Sequence, residues 1–415
     1  MSKVKLKEIG TFKNGLNFSA DRVAKGCKMI GIPDFGDRYL ADLSNLSEVD
    51  NEIVPDECTL KDGDILFVRS NGNKALVGRT MIINEISERI TFSGFCIRFR
   101  PNREIAIPLY LLLLFKSPLF RKRFSNTQQT SINNINQEVL GEIEIDLPTK
   151  DEQKKAIDCI YPIIRKIEIN NAVNDNLQQE IKLLYDYWFS QFDFPNAEGL
   201  PFKSSGGEME YSDRLKRNIP LGWTVESVID NTISTPIKPG VEVFDKKTYL
   251  ATADVNGTTI SSGSLIDYEN REGRANMQPS VSSVWFAKMK NSIKHLYLNK
   301  QMQPIIDSTI LSTGFCGLQC LEQSFEYMAA FIEHSYFESV KDVLAHGATQ
   351  ESVNNDDLLG LVMVVPKKEI LDLFHRRTAP MYAQISKNIC ENQQLTKLRD
   401  WLLPMLMNGQ AIVGD

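Results

Sequence analysis

From Thr149-Lys150-Asp151-Glu152 onward, the chain sets Ala156, Ile160, Ile163, Ile167, Asn170, Asn174, Leu177, Ile181, Leu184 and Trp188 at spacings alternating between four and three. That period, about 3.5 residues per turn, is a helix seam. It predicts one long helix over 149–190. Thr149 and Glu152 form a capping box, hydroxyl to backbone N–H in one direction and carboxylate to N–H in the other. The pattern returns as Phe374, Thr378, Met381, Ile385, Asn388, Asn392, Leu395, Arg399, Leu402 and Leu406, predicting a second long helix over 367–408. Pro162 and Pro380 fall inside these runs. A proline there removes an N–H and crowds the preceding turn, so each kinks its helix or marks its true start. Asn170, Asn174, Asn388 and Asn392 occupy seam positions. A polar group at such a position lowers stability but fixes register, and in an antiparallel pair these four would meet. The alternative is a solvated face.

Working outward, the chain repeats itself. Pro148 and Pro366, Pro162 and Pro380, Asn170 and Asn388, Asn174 and Asn392, and Leu177 and Leu395 each lie 218 residues apart. Upstream, Ser131-Ile132-Asn133-Asn134 matches Ser352-Val353-Asn354-Asn355, and Gly94-Phe95-Cys96 matches Gly314-Phe315-Cys316. Phe67-Val68-Arg69 aligns with Phe286-Ala287-Lys288. Matches in one order predict two halves: a globular part over 1–148, the helix 149–190, a linker over 191–221, a second globular part over 222–366, and the helix 367–408. The linker is rich in Pro and Gly, but Phe192, Phe194 and Phe202 give it something to pack. Each globular part holds short apolar runs, such as Asp64-Ile65-Leu66-Phe67-Val68, Thr80-Met81-Ile82-Ile83 and Cys96-Ile97-Arg98-Phe99. These read as strands. Gly141 to Leu147 alternates apolar residues with acids, as a half-buried strand does, and helix is expected near Leu109–Phe124 and Phe325–Leu344. The fold class is α+β, a mixed α/β globular pair joined to two long helices.

Composition narrows the function. The 415 residues carry 47 Lys and Arg against 53 Asp and Glu, a net charge of −6. An apolar content of 42% and a charged content of 24% exclude a wholly disordered or collagen-like chain. No apolar run reaches the roughly 18–20 residues of a membrane-spanning helix. Met1-Ser2-Lys3-Val4-Lys5 leads into no apolar stretch, so no secretory signal is expected. Seven cysteines at irregular spacing fit reduced thiols and a cytoplasmic location.

The chemical motifs are mostly absences. There is no phosphate-binding G-x-x-x-x-G-K-[ST], no G-x-G-x-x-G, and no H-E-x-x-H among four histidines. The Asn/Asp-Pro-Pro-Tyr/Phe of amino-methyltransferases is missing too. Pro-Asp pairs at Asp34 and Asp56 lack the following acidic-x-Lys of a magnesium nuclease. Cys316 and Cys320 make half a zinc site with no second half, so no metal is expected.

Local charge points elsewhere. Residues 98–123 hold Arg98, Arg100, Arg103, Lys116, Arg121, Lys122 and Arg123 against Glu104 alone. Residues 274–306 hold Arg274, Lys288, Lys290, Lys294 and Lys300 with no acid. Such stretches neutralise phosphates, although a charge run is also what a solvated face looks like. Beside them lie polar loops. Arg69, Ser70, Asn71, Asn73 and Lys74 lead to Arg79, and Gln128 sits in a loop whose counterpart holds Thr349 and Gln350. Arg and Asn read guanine and adenine edges bidentately, so these residues are the DNA-binding candidates.

Longer stretches carry a resemblance. They are Leu184-Tyr185-Asp186-Tyr187-Trp188-Phe189-Ser190-Gln191-Phe192-Asp193-Phe194-Pro195, Tyr211-Ser212 to Pro220-Leu221-Gly222-Trp223, and Trp285-Phe286-Ala287-Lys288-Met289-Lys290-Asn291. Glu391-Asn392-Gln393-Gln394-Leu395 and Leu398-Arg399-Asp400-Trp401-Leu402-Leu403-Pro404 add to them. Together they resemble the specificity (S) subunit of type I restriction–modification systems. The resemblance implies two target-recognition domains, each reading half of a split, asymmetric site on double-stranded DNA, held apart by two antiparallel helices. It implies methyltransferase (M) subunits that carry S-adenosylmethionine, and motor-nuclease (R) subunits that use ATP and Mg. It also implies a non-catalytic chain with no cofactor of its own, acting in DNA methylation and phage defence. The alternative is a coiled-coil adaptor that recruits protein partners and never touches DNA.

Overall fold

The computed structural model describes residues 2–17, 26–36, 39–71, 76–117, 120, 135–260, 263–347 and 350–407. The chain divides into two compact units. Unit 1 holds Met1–Glu168 and Gln394–Asp415, and unit 2 holds Ile169–Gln393. Each unit therefore contains one globular part and a segment of both long helices.

In unit 1 the strands are β1 (Ser2–Lys5), β2 (Gly10–Asn14), β3 (Cys27–Ile30), β4 (Ser47–Val49), β5 (Ile65–Val68), β6 (Thr80–Ile82), β7 (Ile90–Phe92), β8 (Cys96–Pro101) and β9 (Glu144–Leu147). One sheet has the order β2-β8-β5-β6 and another β4-β3-β7, while β1 pairs with β9. Strand β5 is apolar at every position and buried throughout. Successive side chains point to opposite faces, so such a strand must be covered on both sides. Ile65 and Phe67 pack with Ile97, Phe99, Tyr110 and Ile160. Leu66 and Val68 pack with Ile30, Met81 and Phe92. Helix α1 (Pro108–Lys116) starts on a proline and supplies Tyr110 to Phe115 to the first of these cores. It is followed by the short α2 (Gln137–Gly141) and the long α3 (Lys150–Tyr185).

Unit 2 contains these pairings and adds others. Its strands are β10 (Met209–Ser212), β11 (Arg217–Pro220), β12 (Thr224–Ser227), β13 (Ser234–Pro236), β14 (Lys247–Leu250), β15 (Val255–Asn256), β16 (Thr259–Ile260), β17 (Ser264–Ile266), β18 (Ala275–Met277), β19 (Ser283–Ala287), β20 (His295–Leu298), β21 (Thr309–Ser312), β22 (Phe315–Cys320) and β23 (Val362–Val365). The order β13-β22-β19-β20 parallels β2-β8-β5-β6. β14 runs parallel to β21 and antiparallel to β17, as β3 does with β7 and β4. β12 pairs with β23 just before the second long helix, as β1 pairs with β9 before the first. Strand β19 again divides two cores. Val284 and Phe286 face one, and Trp285 faces the other. The Trp285 ring lies 2.4 Å from where a Cβ would sit on Gly317, so only glycine fits beneath it. The helices of unit 2 are α4 (Gln303–Ser308), α5 (Phe325–Glu333), α6 (Ser335–Leu344), α7 (Asn355–Leu358) and α8 (Lys368–Met407), the last running on into unit 1. The helix expected near Phe325–Leu344 comes as two, because His334 turns to an extended conformation between them.

Residues 191–221, expected as a linker, contain the β10–β11 hairpin and an aromatic pile. Phe194 stacks on Phe202 at 4.6 Å and on Trp223 at 4.9 Å.

Helix α3 begins at the capping box. Thr149 N–H donates to Glu152 Oε2 at 2.8 Å, and Glu152 N–H to Thr149 Oγ1 at 3.4 Å. Pro162 and Pro380 lie within α3 and α8 and end neither. The buried stripe differs from the strict heptad: Ile164, Tyr185 and Tyr382 are buried where Ile163, Leu184 and Met381 were expected. Each lies four residues after a buried seam position, Ile160, Ile181 and Thr378, a step close to the roughly 3.6 residues of a helical turn. In unit 2 the two helix segments run antiparallel. Asn170 meets Asn392, and Asn174, four residues on, meets Asn388, four residues back. In unit 1, Ile160 and Ile164 share a core with Leu403, Leu406 and Met407.

Trp285→Ala should destabilise unit 2 by about 3–5 kcal/mol, the usual cost of emptying a large buried aromatic site. Native-state hydrogen exchange should show the loss across β19 and β22 and leave β5 and β8 unaffected.

Candidate nucleic-acid interface

The loops at the ends of β5 and β19 are tied down in the same way. Arg69 follows β5. Its N–H donates to Phe95 O at 2.7 Å, and its carbonyl accepts from Ile135 N–H at 2.9 Å. Lys288 follows β19. Its N–H donates to Gly314 O at 3.0 Å, and its carbonyl accepts from Val353 N–H at 3.0 Å. Each cluster joins three segments: the loop after the central strand, a tight turn before the next strand, and the segment leading to a short capped helix. Asn136 caps α2 by accepting from Val139 N–H at 2.7 Å, and Asn354 caps α7 by accepting from Asp357 N–H at 3.0 Å.

These bonds correct one of the sequence correspondences. The counterpart of Gly314 is Phe95, one residue on from Gly94. The strand ladders agree, since Phe67 pairs with Ile97 and Phe286 with Cys316. Phe95 is 59% exposed and Phe315 only 1%, as a one-residue offset requires. Ile135-Asn136 and Val353-Asn354 make the same bonds, while Ser131 to Asn134 lie outside the described residues.

The candidate side chains fall into three groups. Arg69, Ser70, Asn71 and Arg79 are half-buried around the first cluster, with Arg69 Nη1 3.5 Å from Gly94 O. Lys288 is half-buried and Gln350 exposed at the second. Two lysines there are engaged within the chain: Lys290 pairs with Glu351 at 2.8 Å, and Lys294 donates to Thr252 O. Asn73, Lys74, Arg121, Lys122, Arg123, Gln128 and Thr349 lie outside the described residues.

The basic stretch 98–123 is not a continuous outward face. Arg98 is buried and donates to the carbonyls of Glu57 and Thr59 at 2.9 and 3.1 Å. Arg100 grips Asp64 with two bonds of 2.7 Å, and Arg103 donates to Asp62 O. The Asp34 carboxylate accepts from Gly31 N–H at 2.7 Å, closing a turn, and Asp254 does the same for Ala251 at 2.9 Å. Asp56 pairs with Arg89. Burial pushes the Cys316 thiol up to about 12 and the Cys320 thiol higher still. Among the described residues no group of three or more metal-ligating side chains gathers, and no helix is long and apolar enough to cross a membrane.

Sequence reasoning missed the support beneath the second cluster. Lys341 is fully buried and donates to Ala287 O at 3.3 Å and Ser292 O at 3.2 Å, at the base and tip of the β19–β20 loop. Glu338 neutralises it at 2.6 Å and also meets His295 at 2.8 Å. Burial would raise the Glu338 carboxyl, but the hydrogen bonds from His295 and Lys341 outweigh it and hold the carboxyl below its ordinary value. The i, i+3 spacing of Glu338 and Lys341 was visible in the sequence, but it looks the same on a solvated helix.

The asparagines form their own network in unit 2. Asn170 Nδ2 donates to Asn392 Oδ1 at 2.9 Å and to Glu391 Oε2 at 2.8 Å. Asn388 Nδ2 donates to Asn174 Oδ1 and Asn392 Nδ2 to Asn171 Oδ1, both at 2.8 Å.

Residues 1–179 match the family described as Type I restriction modification DNA specificity domain. The HindI type I restriction enzyme specificity subunit of Haemophilus influenzae is 22% identical over 418 residues, covering 85% of this chain and 87% of that one. The chain is thus similar to type I restriction enzyme specificity subunits over most of its length. The MjaIX specificity subunit of Methanocaldococcus jannaschii is 25% identical, over 74% of this chain and 69% of its own. The crystal structure of a type I S subunit from M. genitalium shares the fold. It has a TM-score of 0.51 at 12% identity, covering 98% of this chain and 96% of that one. The resemblance carried by the aromatic and helical stretches thus agrees with similarities that span most of the chain.

Lys341→Met should cost unit 2 about 3–5 kcal/mol at neutral pH, because it leaves a buried carboxylate without its cation. A depressed carboxyl gives its stabilisation above the ordinary carboxylate range and loses it as pH falls through the folded-state value. The gap between variant and parent in urea unfolding should therefore narrow under acid conditions.

Proposed function

We propose that this chain is the DNA-recognition subunit of a type I restriction–modification enzyme, that each unit reads one half of a split DNA site, and that the chain itself is not catalytic. The observation that carries this is the pair of loop clusters. They share strand order and backbone bonds but differ in the side chains presented, with Arg69 and Phe95 in one and Lys288 and Gly314 in the other. Like frames with unlike readers suit an asymmetric site.

The physical logic is one of small gains joined. A base pair read well contributes about 1–3 kcal/mol of discrimination, so one cluster alone specifies little. Linking two readers makes the second encounter intramolecular. Readers that share one face of the duplex would sit about 10 bp apart. The long helices would serve as the spacer, with the Asn170, Asn174, Asn388 and Asn392 contacts fixing their register. Repeated surfaces would let two identical methyltransferase subunits dock by pseudo-symmetry and bring S-adenosylmethionine. Motor-nuclease subunits would supply ATP- and Mg-dependent cleavage. Such a complex would work on DNA in the cytoplasm.

The test is to map DNA methylation produced by this chain with its methyltransferase subunit. A bipartite, asymmetric motif is expected; no DNA dependence at all would favour the protein adaptor instead. Exchanging residues 1–148 for those of a relative should change one half-site only. Inserting one heptad into each long helix should lengthen the unread spacer and leave both half-sites intact. The purified chain alone should neither methylate nor cut DNA.

A further inference from the structure

Phe95 stands out among the residues around the first cluster. It is a large apolar side chain, 59% exposed, among polar groups. A single exposed apolar residue is ordinary on a protein surface. This one is also held in place. Gly94 and Phe95 are the central pair of a turn closed by Cys96 N–H to Ser93 O at 2.8 Å. The Phe95 carbonyl is tied to Arg69 N–H, and Gly94 N–H donates to Leu16 O at 2.8 Å. Arg69 Nη1 approaches Gly94 O on the same turn. The aromatic ring is therefore displayed on an anchored tip beside Arg69, Ser70 and Asn71. At the equivalent tip of unit 2 the residue is Gly314, so the two frames differ sharply in bulk at this point.

We infer that Phe95 is a specificity-determining residue, and that it contacts a thymine methyl group in the half-site read by unit 1. The inference rests on the proposed reading of DNA by this cluster. A phenyl ring has no hydrogen bond to offer a base. The thymine C5 methyl is the apolar feature that base edges present in the major groove. The neighbouring Arg and Asn are the types that read the same groove bidentately. Gly314 cannot make such a contact, so the half-site read by unit 2 would lack this preference at the matching position.

The experiment uses the complex of the full chain with its methyltransferase subunit and duplexes carrying the mapped site. Each thymine of the unit-1 half-site is replaced in turn by uracil, which removes only the methyl. At one position affinity should fall roughly fourfold, the factor for a single buried methyl-sized group. Phe95→Ala should bind the thymine duplex about tenfold more weakly and no longer distinguish thymine from uracil there. Its response to changes in the other half-site should match the parent. If a defined site is bound but every uracil substitution is neutral, or the half-site holds no thymine, the Phe95 assignment fails while DNA recognition stands. The same holds if Phe95→Ala still distinguishes the two bases, or if 2-aminopurine fluorescence reports unstacking by an inserted ring. If no defined site is bound, the underlying reading fails first.

Discussion

Asparagine side chains join the two antiparallel helix segments of unit 2. An apolar seam alone tolerates slippage, because leucine packs on isoleucine in many registers. A buried amide does not, since one without a partner costs about 1–3 kcal/mol. Asn388 and Asn174 are both buried, and each finds its partner in only one antiparallel alignment. Gln384 adds a bond of 2.7 Å to Asn388 Oδ1 along the same helix. With that register set, Trp188 and Phe189 reach Phe374 at 5.6 and 5.0 Å, and the end of one helix segment closes over the start of the other. The wider π-type turn over Asp186–Ser190 lets both aromatic residues face inward.

From that frame the loops inherit their positions. Strands β5 and β19 are buried on both faces, so neither can slide by one residue without exchanging every side chain between two cores. The loop leaving each strand therefore starts from a fixed point. Arg69 and Lys288 are those starting points, and their backbone groups hold two other segments each. In unit 2 the buried Lys341 adds a second anchor, tying the loop to α6 through Ala287 and Ser292.

Much of this was legible in the sequence because it is local. The capping box at Thr149, the long helices, the fully apolar strand at 65–68 and the asparagines in the seam all arise from periodicity and side-chain chemistry within a few residues. Three features were not. The Gly-Phe-Cys match concealed a one-residue offset, because identity of letters competes with ladder register and only pairing decides between them. The likeness of Ile135-Asn136 to Val353-Asn354 was hidden too, because it shows only in the bonds those residues make. The basic stretch around Arg98 and Arg100 was misread because segment charge counts cations without their partners. Asp64 lies 36 residues before Arg100 in the chain yet holds it bidentately.

The backbone character of the two clusters explains why their side chains can differ. Each is built from N–H to carbonyl bonds, which every residue except proline can donate and every residue can accept. Replacing Arg69 by Lys288, or Phe95 by Gly314, leaves those bonds in place. A surface fastened through its displayed side chains would lose stability whenever those side chains changed. Here the fastening uses backbone atoms, so the residues on display can vary while the strands and caps beneath them stay the same.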